Sequence, residues 1–242
     1  MPSISIVIPA YNEEKRLPRT LDSILKYLAG REFSSTEILV VDDGSNDGTA
    51  ELVGRYARQD ERIRLLRNPG NRGKGYSVRH GMLQASGDWI LFSDADLSAP
   101  IEDLDTLLAA AKKWNAEIVI GSRAVDRSLV GVRQSLWREM SGRTFNVIMR
   151  ITTGLPYKDT QCGFKLYSRD ATRAVFTRQT LDGFSFDVED LVIAKQLGLR
   201  AVEVAVRWNN VEGTTVSTLQ GIRSFMDLVQ IRIRHRKLKP AP

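Results

Sequence analysis

The chain reads as an α/β domain with a mainly parallel central sheet flanked by helices, and three observations predict it. Short apolar runs alternate along the chain with segments whose apolar residues recur every three or four positions. The apolar runs end in clusters of Asp, Asn, Gly and Ser, the residues that turn a chain. A length of 242 residues, 42% hydrophobic and 26% charged, is enough to bury a sizeable core.

The elements follow in order. Ser3–Ile8 is an apolar strand running into Pro9, Tyr11, Asn12 and Glu13. Leu17, Leu21, Ile24, Leu25 and Leu28 then keep helical spacing, with Pro18 in the first turn, where proline is tolerated. Ile38–Val41 is a second strand and ends at Asp42-Asp43-Gly44-Ser45; a helix begins at Thr49. Arg62–Leu66 is a third strand, Gly73–Ala85 a helix, Trp89–Ser93 a fourth strand, Ile101–Trp114 a helix and Glu117–Ile120 a fifth strand. Beyond Gly121 the rhythm loosens: a helix near 136–151, strands at Gly163–Tyr167 and Ala201–Trp208, a helix at Val188–Leu197 and a last helix over roughly 217–237. No internal repeat or linker divides the chain, so residues 1–216 form one domain and 217–242 a basic helix and tail.

Bulk features exclude several classes. The single cysteine, Cys162, rules out an internal disulfide framework and fits a reducing compartment. No basic-then-apolar leader opens the chain and no apolar run reaches about 18 residues, so the expectation is a cytoplasmic protein without a transmembrane helix. The first strand is followed by P-A-Y-N-E-E instead of G-x-G-x-x-G, which argues against a dinucleotide cofactor, and no G-x-x-x-x-G-K-[S/T] occurs.

Chemistry concentrates at L-F-S-D-A-D, residues 91–96. Positions two apart in an extended chain point the same way, so Asp94 and Asp96 converge at the end of a buried strand, where open α/β sheets bind ligands. Paired hard oxygen donors suit Mg²⁺ or Mn²⁺, commonly shared with a substrate's phosphates; a loop whose acids cap the next helix is the competing reading. Asn71–Gly75, glycine-rich and basic, opens a helix whose free N–H groups and Lys74 suit a diphosphate or a base edge; a simple helix start is the competing reading. Asp42 and Asp43 close the second strand, as acceptors for a base N–H or as an Asx turn with Ser45 and Asp47.

Four segments in order, V-I-P-A-Y-N-E-E (7–14), V-D-D-G-S-N-D-G-T (41–49), N-R-G-K-G-Y-S-V-R-H-G (71–81) and G-D-W-I-L-F-S-D-A-D (87–96), resemble the N-terminal half of a family 2, GT-A-type glycosyltransferase. G-S-R (121–123), D-T-Q-C-G-F-K-L-Y (159–167) and F-D-V-E-D-L (186–191) resemble its polyprenol-phosphate branch, the dolichyl-phosphate glucosyltransferases in particular and the mannosyltransferases more broadly. The resemblance covers about residues 3–215 and implies an inverting hexosyl transfer from a nucleotide sugar to a polyprenyl or dolichyl phosphate. It implies that Pro9, Tyr11 and Glu13 line the base and ribose, that Asp94 and Asp96 hold the metal against the donor diphosphate, and that Arg123 with Arg133 or Arg138 binds phosphates. Asp159 is the remaining carboxylate for a sugar-hydroxyl contact or weak base help. A phosphomonoester is already a nucleophile at neutral pH, so no strong base is required. The D-T-Q-C-G-F-K block leans towards UDP-glucose; GDP-mannose, and a soluble or polysaccharide acceptor, are the alternatives, with a non-catalytic nucleotide-sugar or nucleic-acid binding module behind them.

The chain departs from the pattern twice. Ser98 stands where the mannosyl branch carries an amide, and 213–216 read G-T-T-V where relatives carry G-x-S-K, which leaves Arg207 as a substitute for the lysine or as a strand-face residue. Lys165, between Phe164 and Leu166, points into the site or outward; Glu189 and Asp190 contact ligand or lie on a solvated helix face. His80 and His235 have no partner at metal-ligand spacing. Residues 218–242 hold six Arg and Lys against Asp227, +5 of the net +6. Leu219, Ile222, Met226, Val229 and Ile233 at 3–4 spacing make that helix amphipathic, suited to an anionic membrane surface or to packing on the domain. Nucleic acid is not expected as a partner, because its binders interleave aromatics with basic residues.

Overall fold

The computed structural model describes residues 1–132, 149–209, 227–228 and 230–235. In chain order the elements are β1 (Ile4–Ala10), α1 (Leu17–Ala29), β2 (Thr36–Asp42), α2 (Thr49–Gln59), β3 (Ile63–Arg67), α3 (Lys74–Gln84), β4 (Trp89–Ser93), α4 (Leu104–Trp114), β5 (Ile118–Ser122), β6 (Val130–Val132), β7 (Phe164–Ser168), α5 (Arg169–Phe176), α6 (Phe186–Gln196), β8 (Ala201–Ala205) and β9 (Trp208–Asn209). Residues 149–153 and 230–234 are helical. The expected strand over 201–208 is two strands, with Val206 and Arg207 as the corner. The α5 helix carries no long apolar period that the sequence reveals; Ser168 caps it, its hydroxyl accepting from the Ala171 N–H at 3.2 Å.

Seven strands form one sheet in the order β3-β2-β1-β4-β7-β5-β8. Only β7 runs antiparallel to its neighbours. The carboxyl ends of β1, β2, β4 and β5 therefore share one edge with the amino end of β7. The chain moves outward from β1 through β2 to β3, then crosses to β4 on the other side, so a topological switch point lies between β1 and β4.

Side chains alternate across the sheet as the strand period requires. Ile4, Ile6, Ile8, Ile38, Val40, Leu91, Phe164 and Leu166 pack with α1, α2 and α4 on one face. Val7, Leu39, Val41, Ile90, Phe92, Ile118, Ile120 and Tyr167 pack with α3, α5 and α6 on the other. The result is a three-layer α/β/α domain.

The described part of the last helix joins the second core. Leu228 and Ile231 are buried there, and His235 is buried as well. Ile233, expected on the apolar face, is 71% exposed; the buried face is 228/231/235. The register differs because the helix is held by polar contacts of Asp227 and His235, described below. Leu219, Ile222, Met226 and Val229 lie outside the described residues.

Candidate active site

The shared edge carries the site. After β1 the chain turns through Asn12, whose φ of 57° is left-handed. That turn is stitched to the loop after β2: the Asn12 N–H donates to Ser45 Oγ (3.0 Å), the Asn46 N–H to Asn12 Oδ1 (2.9 Å) and the Glu13 N–H to Thr49 Oγ1 (2.8 Å). Tyr11 is left exposed on the turn, and Pro9 lies half-buried opposite Val41. Glu13 takes both nitrogens of Arg16 at 2.7 Å. Burial raises its carboxyl, Arg16 opposes that, and Asp96 and Asp94 add to the rise, so Glu13 stands within electrostatic reach of both aspartates.

Asp42 Oδ1 accepts the Ser45 N–H at 3.1 Å, as the Asx-turn reading expects. Asp43 does more. Its Oδ1 accepts from Asn68 Nδ2 (2.7 Å) and the Arg72 N–H (2.9 Å), and its Oδ2 from the Gly73 N–H (2.8 Å). One carboxylate thereby shapes the loop leading into α3. Gly44, at φ 72°, lets that loop close: a Cβ there would lie 2.6 Å from the Gly70 carbonyl carbon.

Lys74, the first residue of α3, reaches across to Asp94, with Nζ 2.6 Å from Oδ1. Phe92 and Phe184 flank the ammonium, their ring centroids 5.5 and 6.0 Å away. Burial pushes Lys74 down, but Asp94, Asp187 and Asp96 outweigh it and hold its pKa above the ordinary lysine value. Asp94 lies directly over Gly163: a Cβ on that glycine would fall 2.0 Å from Asp94 Oδ2, and the Asp94 N–H donates to the Gly163 carbonyl at 3.0 Å. Asp96 Oδ1 accepts the Ser98 N–H at 2.9 Å, and Leu97 between them is left-handed at φ 46°, a strained turn of the sort found at functional sites.

On the far side of Gly163, Arg123 leaves β5 and forms a two-pronged ion pair with Asp159 at 2.7 and 2.8 Å; its own N–H adds a third bond at 3.0 Å. Asp159 is 2% exposed. Burial pushes its carboxyl up, Arg123 outweighs that, and its pKa lies below the usual range. Both its oxygens face Arg123, so Asp159 positions that guanidinium; a free base is not what the geometry presents. Arg123 also lies over the Trp208 ring at 4.9 Å. Arg133 and Arg138 lie outside the described residues.

Three readings left open by the sequence take shape here. Arg207 is held by Asp103, through its N–H at 2.6 Å and its guanidinium at 2.7 and 2.8 Å, so it is not a free substitute for the missing loop lysine. Glu189 and Asp190 are buried, not solvated, because α6 is covered on all sides. His235 pairs with a carboxylate that spacing did not reveal: its Nε2 lies 2.7 Å from Glu189 Oε1, and Glu189 Oε2 in turn accepts the Thr180 and Leu181 N–H groups. Ser185 Oγ donates to Asp227 at 2.6 Å, pinning the same segment. These contacts, Gly163 beneath Asp94, and a buried Lys165 were not foreseen in the sequence; a glycine placed just before a strand and a lysine between two apolar strand residues were the available signals.

The donor set suits a divalent cation. Asp94 and Asp96 supply hard oxygens at one strand end, and Gly163 leaves room for the first of them. Among the described residues no group of three or more His, Cys, Asp or Glu is placed to hold a metal alone, so its remaining ligands would come from water and a bound phosphate, as Mg²⁺ and Mn²⁺ prefer.

A mainly parallel sheet with acids and cations facing each other over its carboxyl edge fits the GT-A nucleotide-sugar transferase fold that the sequence motifs imply. Residues 5–176 match the family model described as glycosyl transferase family 2, and the chain belongs to that family. A dolichyl-phosphate beta-glucosyltransferase of Trichomonas vaginalis is 38% identical over 241 residues, 96% of this chain and 74% of that protein. The dolichyl-phosphate beta-glucosyltransferases of Drosophila melanogaster and Homo sapiens are 38% and 34% identical, each over 96% of this chain and 75% of theirs. Among solved structures, glucosyl-3-phosphoglycerate synthase from Mycobacterium tuberculosis, crystallised with Mn²⁺ and UDP-glucose, is similar with a TM-score of 0.68 at 20% identity, over 98% of this chain and 80% of that one.

Proposed function

We propose that this chain transfers glucose from UDP-glucose to a polyprenyl phosphate such as dolichyl phosphate, with inversion, to give a lipid-linked glucose. The observation that carries the reading is the pairing of Lys74–Asp94 and Arg123–Asp159 on the two sides of Gly163. It sits in a chain more than 30% identical to dolichyl-phosphate beta-glucosyltransferases over almost its whole length.

Asp94 and Asp96 would hold Mg²⁺ or Mn²⁺, which when bound neutralises charge on the leaving diphosphate. Lys74, already on Asp94, brings a cation to the same diphosphate from the α3 N-terminus. The wall formed by Pro9, Tyr11, Glu13, Asp42 and Asp43 receives the nucleoside. Arg123, oriented by Asp159, presents its guanidinium to the acceptor phosphate. An ionised phosphate oxygen needs no proton removed. That agrees with a site whose carboxylates are engaged: Asp159 by Arg123 and Asp187 by Lys165. Catalysis then rests on positioning and charge neutralisation.

The enzyme meets its lipid at a membrane surface. Ile151 and Ile233 are 77% and 71% exposed, on two helical segments joined where Arg232 Nη1 donates to the Thr152 carbonyl at 2.9 Å. Arg150, Arg232 and Arg234 around them are exposed. Aliphatic side chains ringed by cations fit an anionic interface. Among the described residues no helix is long and apolar enough to cross a membrane. The acceptor and donor are tested together by offering labelled UDP-glucose or GDP-mannose with polyprenyl phosphate or polyprenol. Label in the lipid from UDP-glucose with the phosphate alone is expected. Label from GDP-mannose alone would turn the reading to mannosyl transfer, and label on polyprenol would remove the argument against a base.

A further inference from the structure

Lys165 is 0% exposed in the middle of the sheet, paired in register with Phe92 on β4 and Ile120 on β5. Lysine is almost never fully buried without a partner. Its ammonium is held by the Asp187 carboxylate at the start of α6 and donates to the Cys162 carbonyl at 2.9 Å. Cys162 precedes Gly163, the floor beneath Asp94. Lys165 Nζ lies 5.7 Å from the Phe92 ring centroid and Lys74 Nζ 5.5 Å from the same ring, and Lys74 sits on Asp94. Two ion pairs, Lys165–Asp187 and Lys74–Asp94, thus meet at Phe92, between the sheet interior and the strand end.

Packing alone does not call for this. A buried ion pair in an apolar face is commonly no more stable than hydrophobic residues of the same volume, and Lys165 shares its face with Phe92, Ile120 and Tyr167. The benefit has to lie in what the pair holds. Through the Cys162 carbonyl it fixes the Gly163 backbone, which accepts the Asp94 N–H. Through the Phe92 ring, which both ammoniums contact, it backs Lys74.

We infer that Lys165 and Asp187 are positioning residues, a buried pair that sets the Asp94 carboxylate and the Lys74 ammonium in register for the cation and the donor diphosphate. The inference rests on the proposed function, because it takes Asp94 as a metal ligand. It concerns residues that touch neither the metal nor the substrate.

The test is Mn²⁺ affinity in the presence of UDP, read by electron paramagnetic resonance of free Mn²⁺, alongside thermal unfolding, for wild type, Asp94→Asn and the double variant Lys165→Met/Asp187→Asn. The double variant removes both buried charges together, so it should unfold at or above the wild-type temperature. Its Mn²⁺ affinity should nevertheless fall about tenfold or more, the size of effect seen when partners behind a metal ligand are removed. A double variant that binds Mn²⁺ like wild type makes the pair mere core packing and overturns the inference. If it unfolds in the cell, Lys165→Gln/Asp187→Asn, which keeps two polar groups of similar size without the charges, is measured instead; wild-type affinity there is equally fatal. Wild type that binds no Mn²⁺ with UDP, or Asp94→Asn that binds as well as wild type, overturns the reading of the site itself, and the inference with it.

Discussion

The two halves of the site satisfy their carboxylates in different ways. On the nucleoside side, Asp42, Asp43 and Asp47 accept from backbone N–H groups of Ser45, Arg72, Gly73, Glu14 and Thr49. Those donors lie in loops that cannot be exchanged side chain by side chain, so this half is a rigid scaffold of short-range turns. On the phosphate side, Asp94, Asp159 and Asp187 are met by the long cations Lys74, Arg123 and Lys165. Those partners come from distant elements; Lys74 and Arg123 can pass from a carboxylate to a phosphate as charge arrives, while the buried Lys165 stays on Asp187. One half is built to fit a shape, the other to handle charge.

The largest expected effect falls on the charge-handling half. Asp94→Asn should cut lipid glucosylation about 10³-fold, in line with losing charge stabilisation at a reacting phosphate, while the unfolding temperature stays close to wild type. Equal loss of both would erase the distinction. Arg123→Lys comes next: a lysine keeps the charge but not the two-pronged grip on Asp159, and kcat/KM should drop about 10²-fold with smaller change in UDP affinity. Asp43→Ala sharpens the other side. It strips three hydrogen bonds from the loop before α3 and should weaken UDP binding about tenfold and stability by about 1–3 kcal/mol, since buried donors lose their acceptor. Calorimetry and urea unfolding would read both.

The smallest effects concern pH, and they have opposite signs. Folded Asp159 titrates below the ordinary value, because Arg123 outweighs its burial. Its contribution to stability is therefore present above about pH 3.9 and is lost as pH falls through the folded value. Burial, with Asp187 and Glu189 adding, raises Asp190 well above its ordinary value. Its folded carboxyl keeps a proton that the unfolded chain has released above about pH 3.9, so it costs stability as pH rises from there. Asp190→Asn should raise the unfolding temperature at pH 8 and change nothing below about pH 4; Asp159→Asn should lower it at pH 8 and converge with wild type in acid. Unfolding scans across pH separate the two, and a shared sign would contradict the assignment.

The same division governs what was legible in the sequence. The alternation of strands and helices, the strand-end aspartates and the loop before α3 are local patterns, and the structure puts Pro9, Tyr11, Asp42, Asp43, Lys74, Asp94 and Asp96 on one sheet edge. The antiparallel placement of β7 was not legible, because nothing local in F-K-L-Y-S distinguishes a strand direction. That placement brings Gly163 under Asp94 and Asp159 to Arg123, and sends Lys165 inward. The Arg123–Asp159 and Arg207–Asp103 pairs were not legible either, for one reason: the partners lie 36 and 104 positions apart. Charge pairing across a fold leaves no periodicity to find. The last helix shows the limit from the other side, its spacing pointing to Ile233 while the contacts of Asp227 and His235 turn a different face inward.

The central claim is metal-assisted transfer of glucose at the Asp94–Gly163–Arg123 edge. It is tested most directly by counting label carried from UDP-glucose into dolichyl phosphate by wild type with Mn²⁺, by wild type with chelator, and by Asp94→Asn with Mn²⁺. Label in the first alone is the predicted result. Equal label in all three, or none in the first from protein that binds UDP, would contradict it.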